Sequence, residues 1–153
     1  MAFSWEPFGR THGEEPATPP AAEPAPARTS VPSRPARGLA VLTCMDARID
    51  PLRAFGLRLG DAVILRNAGA QASDDVLRSL KLAHEALGVA AVTVIGHTDC
   101  AGHGRDDNAA AVAAERAAAR VRSAVPGLRV DAAMLDIETG SISRRGAAPL
   151  PSD

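Results

Sequence analysis

Three short runs, residues 39–43, 62–65 and 89–95, are continuously apolar and rich in valine, leucine and isoleucine. They constrain the fold more than any other feature of the chain. A strand with one wet face alternates apolar and polar residues, whereas a strand without alternation is covered on both faces, as in parallel sheets packed between helices. The interval between the second and third runs reads as a helix. Ser73 is a good N-cap, Asp74 and Asp75 put negative charge where the helix dipole favours it, and Val76, Leu80, Ala83 and Leu87 follow helical spacing up to Gly88, a suitable terminator. Strand, loop, strand, helix, strand with short connections predicts a single α/β domain with a mostly parallel sheet and flanking helices.

The surrounding segments extend this frame. Pro51 suits the first position of a short helical turn over 51–55, and Gly60-Asp61 marks a turn. Arg66-Asn67-Ala68-Gly69 reads as a polar loop whose glycine lets backbone approach closely. Beyond Cys100, a glycine-bearing loop over 101–107 leads into an alanine-rich helix over 109–124, with Val112, Val121 and Val125 as a thin apolar stripe and Pro126-Gly127 as its stop. Residues 128–137 read as a fourth core strand, 138–140 as a turn and 141–143 as a short edge strand. Phe55 is the only aromatic residue past position 8, so the core is expected to consist of Ala, Val, Leu and Ile.

Eight of the twelve prolines lie in the first 38 residues, among Ala, Glu and Ser. Such a composition buries too little apolar surface to offset the entropy of ordering, so residues 1–37 are expected to form a largely disordered or polyproline-like arm. Its tip, Phe3, Trp5 and Phe8, either docks on the domain or on a neighbouring subunit, or stays exposed. The folded domain is expected over 38–145, with a frayed tail over 146–153. A formal net charge of −1 and scattered basic residues support neither nucleic-acid binding nor attachment to an anionic membrane. No apolar run approaches the roughly 18 residues that span a bilayer. The first ten residues lack a basic segment followed by an apolar one, so the expected location is the cytoplasm.

Both cysteines stand at the ends of predicted strands. Cys44-Met45-Asp46-Ala47-Arg48 follows the first apolar run and His97-Thr98-Asp99-Cys100 the third. In a reducing compartment, two distant cysteines serve metal binding or catalysis more readily than a structural disulfide. Sites in open parallel sheets form beyond the carboxyl ends of the strands, so the two motifs converge if the first and third strands are neighbours. Cys44, His97 and Cys100 then offer two thiolates and an imidazole, a set suited to Zn²⁺, whose catalytic sites keep a fourth position open. Water in that position has its pKa lowered from about 15.7 to about 7.

Asp46 and Arg48, two residues apart on an extended segment, can face the same side, where the Arg fork can hold the carboxylate bidentately. Held off the metal, Asp46 can accept a proton and orient the bound oxygen. Released, it can fill the fourth position itself. Arg66 and Asn67 read as loop-fixing hydrogen-bond donors, and His103 as either a proton shuttle at the mouth of the site or a solvated loop residue. His12 and His84 carry no assigned role.

Cys44-x-Asp46-x-Arg48, followed by Arg66-Asn67-Ala68-Gly69 and His97-x-x-Cys100, resembles the β-class carbonic anhydrases. The resemblance covers residues 39–102, and residues 135–140 look like the closing strand and turn of that family. It implies zinc on Cys44, His97 and Cys100, an Asp46–Arg48 dyad, strand order 2-1-3-4 with an appended edge strand, and a homodimer or dimer of dimers. It also implies reversible hydration of CO₂ to bicarbonate. The chain differs from the family in having only about thirty residues between Cys100 and the closing strand, and in carrying the Pro-rich arm where N-terminal helices are usual. Three other readings remain open at this point: a CS₂ or COS hydrolase using the same site, a zinc protein with a structural or sensing role, and a Cys44–Cys100 redox pair.

Overall fold

The structure, a computed structural model, describes residues 30–145. The aromatic tip at Phe3, Trp5 and Phe8 and the tail from Gly146 lie outside the described residues. Five strands, β1 (Leu39–Cys44), β2 (Ala62–Asn67), β3 (Ala91–His97), β4 (Arg129–Leu135) and β5 (Ile142–Arg145), form one sheet in the order β2-β1-β3-β4-β5. The first four are parallel, and β5 runs antiparallel along the outer edge of β4. This is the expected α/β architecture, with four core strands in the order 2-1-3-4 and an added edge strand.

Burial explains the absence of alternation in β1. Ala40, Val41, Leu42 and Thr43 are all buried because alternate side chains enter different cores. Ala40 and Leu42 join Val92, Val94, Leu80 and Val121 beneath the long helices α2 (Asp74–Leu87) and α3 (Asp107–Ala124). Val41 packs on the other face with Ile95, Ala133, Ile49 and Leu57, beside the short helix α1 (Pro51–Ala54). Helix α2 has the predicted ends: the Ser73 hydroxyl accepts from Val76 N–H, and Gly88 takes a left-handed φ of 71°. The segment before β1 is tied to the sheet, with Ala36 N–H donating to Gly60 O and Arg37 N–H to Asp61 O.

Three local expectations change. Strand β2 runs two residues beyond its apolar run, so Arg66 and Asn67 are strand residues paired with Thr43 and Cys44 rather than loop residues. Their side chains leave the core there, but the backbone ladder to β1 continues. Helix α3 begins at Asp107, capped by the Asp106 carboxylate, which accepts from Ala109 N–H.

The buried face of α3 also differs from the predicted valine stripe. Val112 is exposed, and the contact face is Ala110, Ala111, Ala114, Ala117, Ala118 and Val121. The reason lies in β3, where a Cβ on Gly96 would sit 3.2 Å from Ala110 O and 3.3 Å from the Ala114 Cβ. Ala114 against Gly96 sets a close helix-to-sheet approach there that a valine at position 114 would prevent. Among the described residues, no helix is long and apolar enough to cross a membrane.

Candidate metal centre

The parallel register brings the two cysteine motifs together. Thr43 of β1 lies opposite Ile95 of β3, so Cys44 leaves the sheet at the same end as His97, and the turn after His97 carries Cys100 back toward it. The Cys44 and Cys100 sulfurs and a His97 ring nitrogen all lie within 4.8 Å of one another, and all three residues are buried. The two sulfurs are 3.9 Å apart and both thiols are free.

The imidazole is held in one tautomer. His97 Nδ1 lies 2.8 Å from Thr98 O, and a carbonyl can only accept, so Nδ1 carries the proton and Nε2 presents a lone pair. Among the described residues, Nε2 is the only buried side-chain nitrogen or oxygen left without a hydrogen-bond partner. An orphaned buried acceptor costs about 1–3 kcal/mol, so its persistence beside two thiols points to a ligand that the chain itself does not supply. Two sulfurs and one imidazole nitrogen are a donor set that fits a borderline-soft divalent ion.

The sulfurs are also prepared. Gly69 N–H donates to Cys44 Sγ at 3.4 Å, and Gly69 reaches that position with a φ of 74°, open to a residue without a side chain. Burial, and then the neighbouring Cys44 thiol, push the Cys100 thiol above its ordinary pKa in the metal-free chain, while backbone N–H groups of Gly102 and His103 act in the opposite direction. A cation held by these residues would reverse that balance, because thiolates rather than thiols bind metals.

Asp46 stands beside this cluster, with Oδ2 4.0 Å from His97 Nε2. Arg48 grips it with a two-pronged contact, Nε to Oδ1 at 3.0 Å and a terminal nitrogen to Oδ2 at 2.7 Å. The side-chain hydrogen bond from Arg48, followed by its backbone N–H, holds the Asp46 carboxyl well below the usual carboxylate range. The route to this pairing differs from the expected one. Residues 46–49 form a turn, closed by Ile49 N–H to Asp46 O, in which Arg48 N–H also donates to Asp46 Oδ1, so a local fold-back, not an extended segment, brings the two side chains together.

Arg66 braces the same turn, donating to Cys44 O at 3.0 Å and Asp46 O at 2.7 Å. Asn67 exchanges two hydrogen bonds with the Gln71 backbone, as a loop-fixing residue should. His103 Nε2 donates to Gly69 O at 3.0 Å, so this histidine packs on the glycine that serves Cys44. His84 is occupied with Val89 O on the helical side of the sheet, away from the cluster. Asp99 carries no role in the sequence alone, yet it accepts from the outer edge of Arg48 at 2.8 Å. The available signal was an acidic residue set between two prospective ligands, which a like-charged thiolate pair would not favour unless a cation faced it.

A buried Cys-His-Cys cluster at the carboxyl end of a 2-1-3-4 sheet defines the class, and a sequence model of the carbonic anhydrase family matches residues 39–135. The chain belongs to that family and, within it, to the β class. Over 70 residues it is 41% identical to β-carbonic anhydrase 1 of Mycobacterium tuberculosis, covering 46% of this chain and 43% of that protein. Over 64 residues it is 47% identical to a carbon disulfide hydrolase of Saccharolobus solfataricus, covering 42% of this chain and 31% of that one. The match therefore spans less than half the length of either relative. In three dimensions it resembles the carbonic anhydrase of Streptococcus mutans with a TM-score of 0.68 and 29% identity, over 74% of this chain and 84% of that one.

Proposed function

We propose that Cys44, His97 and Cys100 hold Zn²⁺ and that the chain catalyses the reversible hydration of CO₂ to bicarbonate and a proton. The observation that carries this reading is the orphaned Nε2 of His97, locked in its acceptor tautomer and buried against two free thiols. Bound zinc supplies Lewis acidity and brings the pKa of water at its open position down to about 7. The chain's own residues do the remaining work. Thr98 O fixes the imidazole and Gly69 N–H stabilises charge on the Cys44 sulfur.

Asp46 is the orienting group. Held ionised by Arg48, it can only accept hydrogen bonds, so it selects an oxygen that carries a proton and turns that oxygen's lone pair away from itself. Arg48 keeps the carboxylate off the ligand cluster. Dimeric or dimer-of-dimers assembly and a cytoplasmic location belong to the same proposal. The free, buried cysteines support a reducing compartment.

Similarity to carbon disulfide hydrolases favours one second reading, hydrolysis of CS₂ or COS at the same cluster. The test is metal analysis of the purified chain and its Cys100→Ala variant, with CO₂ hydration and sulfide release from CS₂ measured side by side. About one zinc per chain, lost in the variant together with CO₂ hydration, is the expected result. Zinc retained at full stoichiometry by the variant would overturn the ligand assignment, and sulfide release without CO₂ hydration would move the activity to the second reading.

A further inference from the structure

We propose that Asp99, backed by Arg105, is a positioning residue that sets how firmly Arg48 holds Asp46 away from the metal ligands. The inference rests on the reading of Cys44, His97 and Cys100 as those ligands. Its starting point is the occupancy of Arg48. One edge of the guanidinium takes both Asp46 oxygens. The other edge donates to Asp99 Oδ2 at 2.8 Å and to the Asp99 carbonyl at 3.2 Å. All three guanidinium nitrogens are engaged, and Arg has five N–H donors to divide among four acceptors, so the two carboxylates do not compete for the same hydrogens.

Asp99 is itself fixed from two further directions. Its second oxygen accepts from Arg105 at 2.6 Å, and its backbone N–H donates to the Asp107 carboxylate at 2.8 Å, at the first residue of α3. Its backbone takes a φ of 53°, a left-handed conformation that few residues other than glycine adopt and that Asp tolerates better than most. Asp46, Arg48, Asp99 and Arg105 thus form a chain of alternating charge that starts 4.0 Å from His97 Nε2 and ends in solvent at Arg105.

An exposed ion pair of this kind adds little to folding stability, since two long side chains must be ordered in water for a weak attraction. Its leverage is positional. The Arg48 side chain is 44% exposed, and without Asp99 one of its edges is free to leave the plane in which it meets Asp46. Asp46 then swings more readily onto the metal position, and any ligand that needs that position binds less well. Because every link is partly exposed, added salt weakens the whole chain of contacts.

The full chain loaded with Co²⁺ gives a direct readout, with azide as the probe for the open position and visible absorption following its binding. Asp99→Ala is expected to weaken azide binding about fivefold, the upper range for an exposed ion pair. Asp99→Asn, which keeps an acceptor oxygen, should recover part of that loss. The loss should disappear when Asp46→Ala is also present, because no carboxylate remains to close the site. Unchanged azide affinity in a cobalt-loaded, folded Asp99→Ala variant would overturn the proposal. So would a loss that persists undiminished with Asp46→Ala, which would mark Asp99 as merely structural. Failure of the wild-type chain to bind Co²⁺ would instead overturn the ligand assignment beneath it.

Discussion

Replacing His97 with leucine should leave the metal-free protein as stable as before, or make it more stable, which is the opposite of what burial alone suggests. The residue is 1% exposed, and truncating or replacing a buried polar side chain usually destabilises. Here two terms oppose one another. The Nδ1–H bond to Thr98 O is lost, at about 0.5–1.5 kcal/mol, while removal of the stranded Nε2 relieves about 1–3 kcal/mol. Leucine has a similar volume, and Cys44 and Cys100, which lie beside the ring, belong to a buried apolar cluster. The metal-free variant is therefore expected between neutral and about 2 kcal/mol more stable than the metal-free wild type.

Zinc should invert the order. Free zinc at a thousandfold excess over its Kd stabilises a binding chain by about 4 kcal/mol, and the variant keeps only two of the three proposed ligands. Urea unfolding at matched protein concentration, once in chelator and once in buffered zinc, measures both quantities. A metal-free His97→Leu variant that loses 3 kcal/mol or more would refute the reasoning, because it would mean that Nε2 is satisfied without metal. Equal stabilisation of variant and wild type by zinc would refute it as well.

Other outcomes follow from the same geometry. Gly96→Val should cost about 3 kcal/mol and lower the thermal midpoint, since even a Cβ there meets Met134 Sδ at 2.8 Å and the Ala110 carbonyl at 3.2 Å. Gly69→Ala places a Cβ 2.7 Å from His103 Nε2 on a backbone of positive φ, and should weaken zinc affinity about tenfold through the displaced Gly69 N–H, as a competition titration with a chromophoric chelator would show. Asp136 accepts the N–H groups of Glu138 and Thr139 at 2.9 Å, and these bonds hold its carboxyl below the ordinary range. Its folded pKa is depressed, so its contribution is complete above the unfolded value of about 3.9 and is lost as pH falls toward the folded one. Amide exchange at Glu138 and Thr139, corrected for intrinsic rates, should therefore lose protection in that acid window.

Much of this molecule is readable in its residues because the relevant signals are local. Unbroken apolar runs announce β1 and β3, and Ser73 and Gly88 mark both ends of α2. The Cys44, His97 and Cys100 cluster is legible for a different reason: both motifs follow apolar strands that the parallel sheet sets side by side, so their carboxyl ends converge. What escaped depends on tertiary distances. Val112 looks like a core residue until the close approach of α3 to Gly96 makes alanine the residue that fits. Arg66 and Asn67 look like loop residues because hydropathy drops before the β1–β2 ladder ends. Asp99 reveals its partner only when a left-handed turn brings it to Arg48, 51 positions away in the chain.

The measurement that bears most directly on the account is stopped-flow CO₂ hydration by protein of known zinc content at alkaline pH, compared with the same protein after chelation. Catalysis is expected in proportion to bound zinc, abolished by chelation and restored by stoichiometric zinc. Protein with one zinc per chain and no hydration above the buffer rate would contradict it.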